Sequence, residues 1–266
     1  DRPVDEPGTT EYFQAYKLFS EGELDEWARV LEGRRAWLAG RGIRYMFVIA
    51  PDKVSIYPEF MPDRIRQFRH VSRMDQLLDY LGKHTNIAAP DLRPALLAAK
   101  KNRQVYPKKD SHWNDLGAFI ADGEIQKSLA AFFPSAAPLA LSDFELKTVP
   151  EKKEDMFDWL ELTRLPISDP VLRLEPRRPW GWRFTYQADR FFITERPAAP
   201  LGPLVIIHDS FYAKLYPFLS EHFSRVSYIR DNDKSFNEKY IEADRPVLVI
   251  DEMAERYLLR RPSGMR

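Results

Sequence analysis

The chain of 266 residues is long enough for one sizeable domain with an insertion or for two small domains, and we expect a single domain over residues 1–266. Its 40 basic and 40 acidic residues cancel, which excludes a strong overall field that would recruit nucleic acid or anionic lipid. The chain contains no cysteine, so disulfides, thiolate catalysis and thiolate metal sites are excluded, while periplasmic and cytosolic addresses both stay open.

Hydropathy and the first residues bear on the cellular address. No window approaches the run of about 20 apolar residues that a membrane span needs, so we expect no transmembrane helix. The chain starts at Asp1, with neither methionine nor a charged-then-apolar leader, as a trimmed mature protein does. Export therefore remains open.

Helices and strands alternate along the first half of the chain. Apolar residues recur at helical intervals within residues 23–42, until Gly40 and Gly42 end the pattern. An apolar run that enters a loop then predicts a buried strand. The predicted elements are a helix at 23–42, a strand at 43–53, a helix at 74–84, a short strand at 86–92, and helices at 93–102 and 113–133.

The pattern breaks between about residues 134 and 203, which are rich in proline, and this region predicts an irregular or β-rich insertion. Residues 203–223 then resume with an apolar strand, a polar tip and a helix. Further strands are expected at 225–230 and within 245–259, the last followed by a helix. Strands that are unbroken apolar runs and alternate with helices predict an α/β fold with a parallel sheet covered on both faces.

The stretch LVIIHDSFY places Ser210 in a strand-to-helix turn at the carboxyl end of a predicted strand, where functional residues of open α/β sheets collect. A serine there could attack an acyl carbon, and the first N–H groups of the helix could hold the oxyanion. The lipase-like Gly-x-Ser-x-Gly elbow is absent. Ser210 could also be simply the N-cap of a helix that begins at Phe211.

The stretch KKDSHWNDLG at residues 108–117 offers a base for this serine. Residues at i and i+2 of an extended loop point the same way, so one segment can present both Asp110 and His112. His112 would take the proton from Ser210, and Asp110 would fix the imidazole tautomer. The plain alternatives are that Asp110 and Ser111 only cap the next helix, for which Asn114 is also a plausible cap, and that His112 lies on the surface.

Metal binding is a third possibility for these residues. It would use Asp110 and His112 with His208 or Asp209, but the sequence contains no spaced ligand set such as His-Glu-x-x-His. We therefore expect neither a metal nor another cofactor.

Taken together, the motifs resemble the alginate O-acetyltransferase family (AlgX/AlgJ-like). The resemblance is carried by DSHWN, by the DSF turn about a hundred residues later, and by the segments VIAPDKVSIYPE, EKKEDMFDWLEL and VIDEMAERYL, and it runs from about residue 20 to 260. In the family order the Asp-x-His pair falls on Asp110 and His112 and the serine on Ser210. One departure is His208, which stands where the family usually has glycine.

This resemblance implies a permuted SGNH-hydrolase-like fold with the insertion between the two catalytic motifs. It also implies transfer of acetyl, through an acyl-serine, to hydroxyls of a secreted bacterial exopolysaccharide in the periplasm. A membrane-bound O-acyltransferase partner would supply the acetyl group, and nucleic acid is not an expected partner.

Four further residues are candidates for substrate binding, each with a plainer reading. Lys53 could line an acceptor groove or be a solvated loop charge. Tyr57 and Tyr212 could touch a sugar or the oxyanion, although Tyr212 could equally be the first buried ring of its helix. Trp180 could stack on a sugar, or build a small core inside the insertion.

The same alternatives apply to Trp159 and Trp182, and the arginines of PRRPWGWR could attract an anionic polymer or only solvate a loop. His70, His84 and His222 have polar neighbours and no partner spacing, which predicts surface positions.

The sequence is compatible with three functions. The first is a polysaccharide O-acetyltransferase. The second is an acetylesterase, because the same residues deacetylate a substrate if water reaches the acyl-serine. The third is a non-catalytic glycan-binding module, against which the intact set of Ser210, His112 and Asp110 argues.

Overall fold

The computed structural model describes residues 17–61, 71–150, 170–188, 190–230, 236 and 238–262. The helices are α1 Glu21–Ala39, α2 Lys53–Ile56, α3 Arg73–His84, α4 Arg93–Lys100, α5 Asp115–Leu129, α6 Tyr212–His222 and α7 Glu238–Asp244. The strands are β1 Arg44–Ala50, β2 Phe144–Pro150, β3 Pro170–Pro176, β4 Arg183–Gln187, β5 Phe191–Glu195, β6 Leu204–His208, β7 Arg225–Arg230 and β8 Leu248–Ala254. No helix in these ranges is long and apolar enough to span a bilayer.

The central sheet has six strands in the order β1-β8-β6-β7-β5-β4. The strands β1, β8, β6 and β7 are parallel, which confirms the predicted α/β class. The other two strands add an antiparallel part to the predicted parallel sheet. They come from the insertion, where β4 and β5 form an antiparallel pair, and β5 pairs antiparallel with β7.

The core lies in two layers, one on each face of the sheet. Along β1, Met46 and Val48 face the core that contains α5 and α6, whereas Tyr45 and Phe47 face the core that contains α1 and α3. Successive side chains of a strand point to opposite faces, so a strand covered on both faces must be apolar throughout. This explains the unbroken apolar runs in the sequence.

Local sequence signals fix the first helix. Ser20 and Glu23 form a capping box, in which the Ser20 side chain accepts a hydrogen bond from the Glu23 N–H and the Glu23 carboxylate accepts one from the Ser20 N–H. Gly40 follows the last turn, and Gly42 has a φ of 72°, a left-handed conformation that favours glycine. The helix therefore ends where the chain turns into β1.

Two sequence-based assignments were wrong in detail. The predicted strand at 86–92 is only an isolated parallel bridge between Ala88 and Met46, and Pro90 cannot donate a hydrogen bond to extend the pairing. The helix expected after the last strand is a short 3-10 helix, Glu255–Leu259. Pro262 restricts the residue before it, which disfavours a longer helix there.

The insertion has its own two-stranded sheet, in which β2 and β3 pair antiparallel. The charged run at 151–155, the family-like acidic segment at 151–162 and Trp159 lie outside the described residues. The prediction of a β-rich insertion holds for the parts on either side of them. That the whole chain forms one domain stays a prediction.

A buried ion pair crosses from α1 to the sheet. The Arg34 guanidinium donates to the Asp251 carboxylate, and the Tyr45 hydroxyl donates to the same oxygen at 3.0 Å. All three side chains are almost completely buried. Burial acts to lower the pKa of Arg34, but the charge of Asp251, the Tyr45 hydroxyl and the hydrogen bonds to both together outweigh it, and the pKa is raised.

We expect Asp251→Leu to lower the free energy of unfolding by about 3–5 kcal/mol, because it leaves the Arg34 charge buried without its partner. The double variant Arg34→Met/Asp251→Leu should recover most of this loss. Urea unfolding followed by circular dichroism measures both. The matched control is Lys83→Gln, which removes an exposed ion pair to Asp79 and should change stability little. A loss in Asp251→Leu no larger than in the control would contradict the prediction.

Candidate active site

Asp110 and His112 face each other across one short loop before α5. The His112 Nδ1 lies 2.7 Å from Asp110 Oδ1, and the same carboxylate oxygen accepts the His112 backbone N–H at 2.8 Å. Two contacts to one oxygen fix both the loop and the ring. The side chains keep only 14% and 23% of their exposure, so the pair is shielded but not sealed from solvent.

Ser210 completes this arrangement from a distant part of the chain. It lies between β6 and α6, and its Oγ is 2.8 Å from His112 Nε2, although the two residues are 98 positions apart. The N-cap reading is wrong, since α6 begins at Tyr212 with Phe211 at the cap position and no side-chain cap bond. The cap of α5 is Asn114, whose side chain accepts from the Gly117 N–H at 2.9 Å, and not Asp110 or Ser111.

A hydroxyl, an imidazole and a carboxylate thus stand in one hydrogen-bonded chain. This geometry can deliver a proton from the serine to the imidazole while the carboxylate holds the other ring nitrogen. It suits nucleophilic acyl chemistry. Among the described residues no group of three His, Asp or Glu side chains is arranged to hold a metal ion.

Trp113 joins the two loops, a role that the sequence analysis missed. Its ring is fully buried, its Nε1 donates to the Phe211 carbonyl at 3.0 Å, and its ring packs edge-on against the Phe211 ring. The carbonyl belongs to the residue directly after Ser210. Trp113 directly follows His112, and Phe211 directly follows Ser210. The hydrogen bond between them therefore fixes the distance between the two loops. A tryptophan beside the histidine was the available signal.

Close packing requires a glycine at position 117, the last residue of the stretch KKDSHWNDLG. A Cβ at this position would lie 2.5 Å from the Val105 carbonyl oxygen and 2.8 Å from the Trp113 Cβ, too close for any other residue. The first turn of α5 therefore packs directly against the loop that carries His112.

Lys53 contacts the Asp110 loop. Its Nζ donates to the Lys108 carbonyl at 2.7 Å and to the Asp110 carbonyl at 3.2 Å. The reading of Lys53 as a freely solvated loop charge is therefore wrong. The ammonium holds the backbone on which the Asp110 carboxylate depends.

Tyr57 contacts the segment that leads into the Asp110 loop. Its hydroxyl accepts the Val105 N–H at 3.0 Å, its ring stacks on Phe60, and burial raises its pKa. Tyr106 donates its own hydroxyl to the Pro51 carbonyl at 2.6 Å. These contacts give Tyr57 a structural function, and contact with a sugar remains a prediction.

Asp209 shapes the nucleophile turn, although the sequence suggested it only as a metal ligand. One carboxylate oxygen accepts the Phe211 N–H at 3.0 Å, and the other accepts the Ala254 N–H at 2.6 Å. The Asp209 N–H donates in turn to Glu252. The buried carboxylate therefore ties the turn to the end of β8, and its hydrogen bonds compensate for burial of the charge.

A second buried carboxylate braces the neighbouring strand end. Asp52, just after β1, accepts a hydrogen bond from Arg256 Nε at 2.8 Å and forms an ion pair with its Nη2 at 2.6 Å, and the Asp52 N–H donates to Glu255. Burial raises the pKa of Asp52, and Arg256 opposes that rise. No sequence motif predicts this pair, because Asp52 and Arg256 are 204 positions apart.

His208, which replaces the family's usual glycine, is the buried last residue of β6. Its Nδ1 donates to the Asp209 carbonyl at 2.8 Å, and its ring packs on Tyr212 with centroids 3.7 Å apart. Tyr212 is half-buried, and burial raises its pKa. Tyr212 is thus the half-buried first ring of α6, which partly agrees with the plainer prediction.

Trp180 joins the insertion to α6. Its ring contacts Phe144 and Phe218, and the neighbouring Trp182 donates to the Pro217 carbonyl at 2.9 Å. Both tryptophans therefore pack against the main core through α6 and do not build a separate core inside the insertion, and sugar binding by Trp180 remains a prediction.

The surface assignment of His222 was wrong. The residue is 4% exposed, and its Nε2 lies 2.9 Å from the Asp122 carboxylate, between α6 and α5. His84 is exposed as expected and packs on Tyr80. His70 lies outside the described residues.

Sequence comparison gives a family for the chain. A family model described as an SGNH hydrolase-like domain, acetyltransferase AlgX, matches residues 9–177. Curated relatives include the probable alginate O-acetylase AlgJ of Pseudomonas syringae pv. tomato, 32% identical over 126 residues, which are 47% of this chain and 32% of the relative. The namesake from Pseudomonas fluorescens is 30% identical over 187 residues, 65% of this chain and 44% of the relative. The chain spans less than half the length of these relatives.

Structural comparison gives the same fold. Bacillus cereus PatB1 with a sulfonyl adduct superposes with a TM-score of 0.70 at 15% identity, covering 94% of both chains. The O-acetyltransferase domain of Pseudomonas putida AlgJ gives 0.58 at 18% identity, covering 94% of this chain and 89% of that one. The matched family model spans more than half of the sequence, and the chain belongs to the SGNH hydrolase-like family of AlgX-type acetyltransferase domains.

Proposed function

We propose that this chain is an O-acetyltransferase that moves acetyl through an acyl-serine at Ser210 onto hydroxyls of a secreted, alginate-like bacterial polysaccharide. The hydrogen-bonded chain from Asp110 through His112 to Ser210 is the observation that carries this proposal. The relatives named as probable alginate O-acetylases support the type of acceptor.

In the first half-reaction Ser210 Oγ attacks the carbonyl carbon of an acetyl donor. His112 Nε2, at 2.8 Å, takes the hydroxyl proton, and Asp110 stabilises the imidazolium through Nδ1. The imidazolium then gives its proton to the leaving group of the donor. The product is an acetyl ester on Ser210.

The developing oxyanion needs a donor at the nucleophile turn. Within the described ranges the Ser210 N–H makes no hydrogen bond, whereas the Phe211 N–H is occupied by the Asp209 carboxylate. The Ser210 N–H is therefore the donor that we assign to the oxyanion. By holding Phe211, Asp209 fixes the turn that aims it.

In the second half-reaction a sugar hydroxyl gives its proton to His112 and attacks the acetyl-serine. The tetrahedral intermediate collapses, the bond from acetyl to Ser210 Oγ breaks, and His112 returns the proton to that Oγ. Water in place of the sugar would make the same site an acetylesterase. A membrane-bound O-acyltransferase partner would provide acetyl from across the membrane, and this chain would then act in the periplasm.

The direct experiment is intact-mass measurement after mixing the protein with a chromogenic acetyl ester, with and without an oligosaccharide acceptor. A gain of one acetyl group that disappears as acetylated sugar forms is the expected result. Release of acetate at one rate whatever the acceptor would assign an esterase. No acetylation of the protein would contradict both enzyme functions and leave a glycan-binding module.

We expect Ser210→Ala to abolish the acetyl adduct and Asp110→Asn to lower kcat by roughly 10⁴-fold, because the amide favours the wrong imidazole tautomer. His112→Ala should lower the rate by at least about 100-fold. Stopped-flow release of the chromophore measures these rates, with Ser142→Ala, in an exposed turn of the insertion, as the serine control. An unchanged rate in any of the three variants removes that residue from the mechanism.

A separate prediction concerns Lys53→Met. The variant loses the two hydrogen bonds to the Asp110 loop, and small displacements of a catalytic group cost much rate, so we expect kcat to fall about ten-fold or more. Lys101→Met, at an exposed helix end, is the control and should retain the wild-type rate. If Lys53→Met keeps its kcat and only raises the KM of the acceptor, Lys53 lines the acceptor groove instead.

A further inference from the structure

Two exposed arginines lie at the same end of the sheet as Ser210, where β6 and β7 terminate. Arg230 is the last residue of β7, and Arg190 directly precedes β5. The Arg230 N–H donates to the Arg190 carbonyl at 2.8 Å, and Arg230 also pairs in register with His208 at the end of β6. Neighbouring strands lie about 4.8 Å apart, so the row His208–Arg230–Arg190 spans roughly 10 Å.

The strand register places both arginine side chains on one face. Phe192 pairs with Tyr228, and Arg190 and Arg230 follow two residues beyond that pair on their respective strands. Because side chains alternate, both arginines project to the face of Tyr228, which is the face that α6 covers. That is also the face on which Tyr212 lies.

The position of Tyr212 relates this row to the nucleophile. Tyr212 lies two residues after Ser210 and packs on His208. Burial raises the pKa of Tyr212, and the positive charge of Arg230 opposes that rise, which is the effect of a guanidinium close to the phenol. Arg230 and Tyr212 therefore both adjoin His208, two residues before the acyl-accepting serine.

The charge of this row is not neutralised by other described residues. Neither Arg190 nor Arg230 makes an ion pair with a residue in the described ranges. Arginines elsewhere on the same sheet do have partners: Arg225, at the start of β7, pairs with Glu195 and Asp244. Among the described residues, therefore, these two exposed guanidinium groups keep their positive charge at one end of the strands.

We propose that Arg230 and Arg190 bind the carboxylate of an acidic sugar unit in the acceptor, and so select an anionic polysaccharide and hold its hydroxyl at His112. This inference rests on the proposed acetyltransferase function. A guanidinium offers paired N–H donors that match a carboxylate. The two side chains are specificity-determining residues and take no part in proton transfer.

The test compares two acceptors that differ only in charge: a uronate oligosaccharide and the same oligosaccharide with its carboxylates reduced to alcohols. We expect the ratio of acetyl transfer rates, acidic over neutral, to fall about ten-fold or more in Arg230→Gln and further in the Arg190→Gln/Arg230→Gln double variant. Arg230→Lys should restore part of the ratio. In the wild type, added salt should lower the ratio more than it does in the double variant.

The matched control is Arg183→Gln. Arg183 is an exposed arginine at the start of β4, at the opposite end of the sheet, where it pairs in register with Glu195. This control should keep the wild-type ratio, and thermal melting should show that every variant is folded. A ratio that is unchanged in the double variant, or equal losses for both acceptors, would overturn the inference.

Failure of the proposed function gives a different result. Calorimetric titration of the uronate oligosaccharide into Ser210→Ala, with and without Arg230→Gln, measures acceptor binding without any chemistry. Weaker binding after removal of Arg230 supports the inference even if no acetyl group is ever transferred. Equal binding in the two proteins overturns it, whatever the activity of the wild type.

Discussion

The hydrogen bond from the Trp113 indole to the Phe211 carbonyl is the contact on which the site depends. It joins the loop that presents the base to the turn that presents the nucleophile, and both partners are buried. A hydrogen bond contributes only about 1 kcal/mol net to stability, but leaving either buried group unpaired costs more than that. The burial of Trp113 therefore restricts the two loops to one separation, at which His112 reaches Ser210.

Two buried carboxylates hold together the ends of β1, β6 and β8. Asp209 follows β6 and Asp52 follows β1, and their carboxylates accept hydrogen bonds from Ala254 and Arg256, at the end of β8 between them. Such groups are costly to bury and stay charged only with their partners in place. A site built on them keeps its geometry, while Ser210 itself remains partly open to substrate. Arg230 and Arg190, at the same end of the sheet, are exposed and make no ion pair with a described residue.

Much of the fold could be predicted from local patterns. The helix over 21–39 follows from its capping box and its apolar spacing, and the apolar runs of β1, β6 and β8 identify strands buried on both faces. Local patterns failed where pairing decides the structure. The segment around Ala88 was taken for a strand, and His222 for a surface residue, because neither the single bridge to Met46 nor the contact with Asp122 has a sequence signal.

The sequence by itself determined the order of elements, the family resemblance and the residue types available for acyl chemistry, since these depend on short-range spacing. It also presented Asp110 and His112 together, because they are two positions apart. Only the tertiary structure decided that His112 meets Ser210, that Lys53 and Trp113 hold the loops, and that Arg230 and Arg190 stand side by side. These contacts join residues about 40 to 100 positions apart, and the strand order of the sheet, which no local pattern encodes, brings them together.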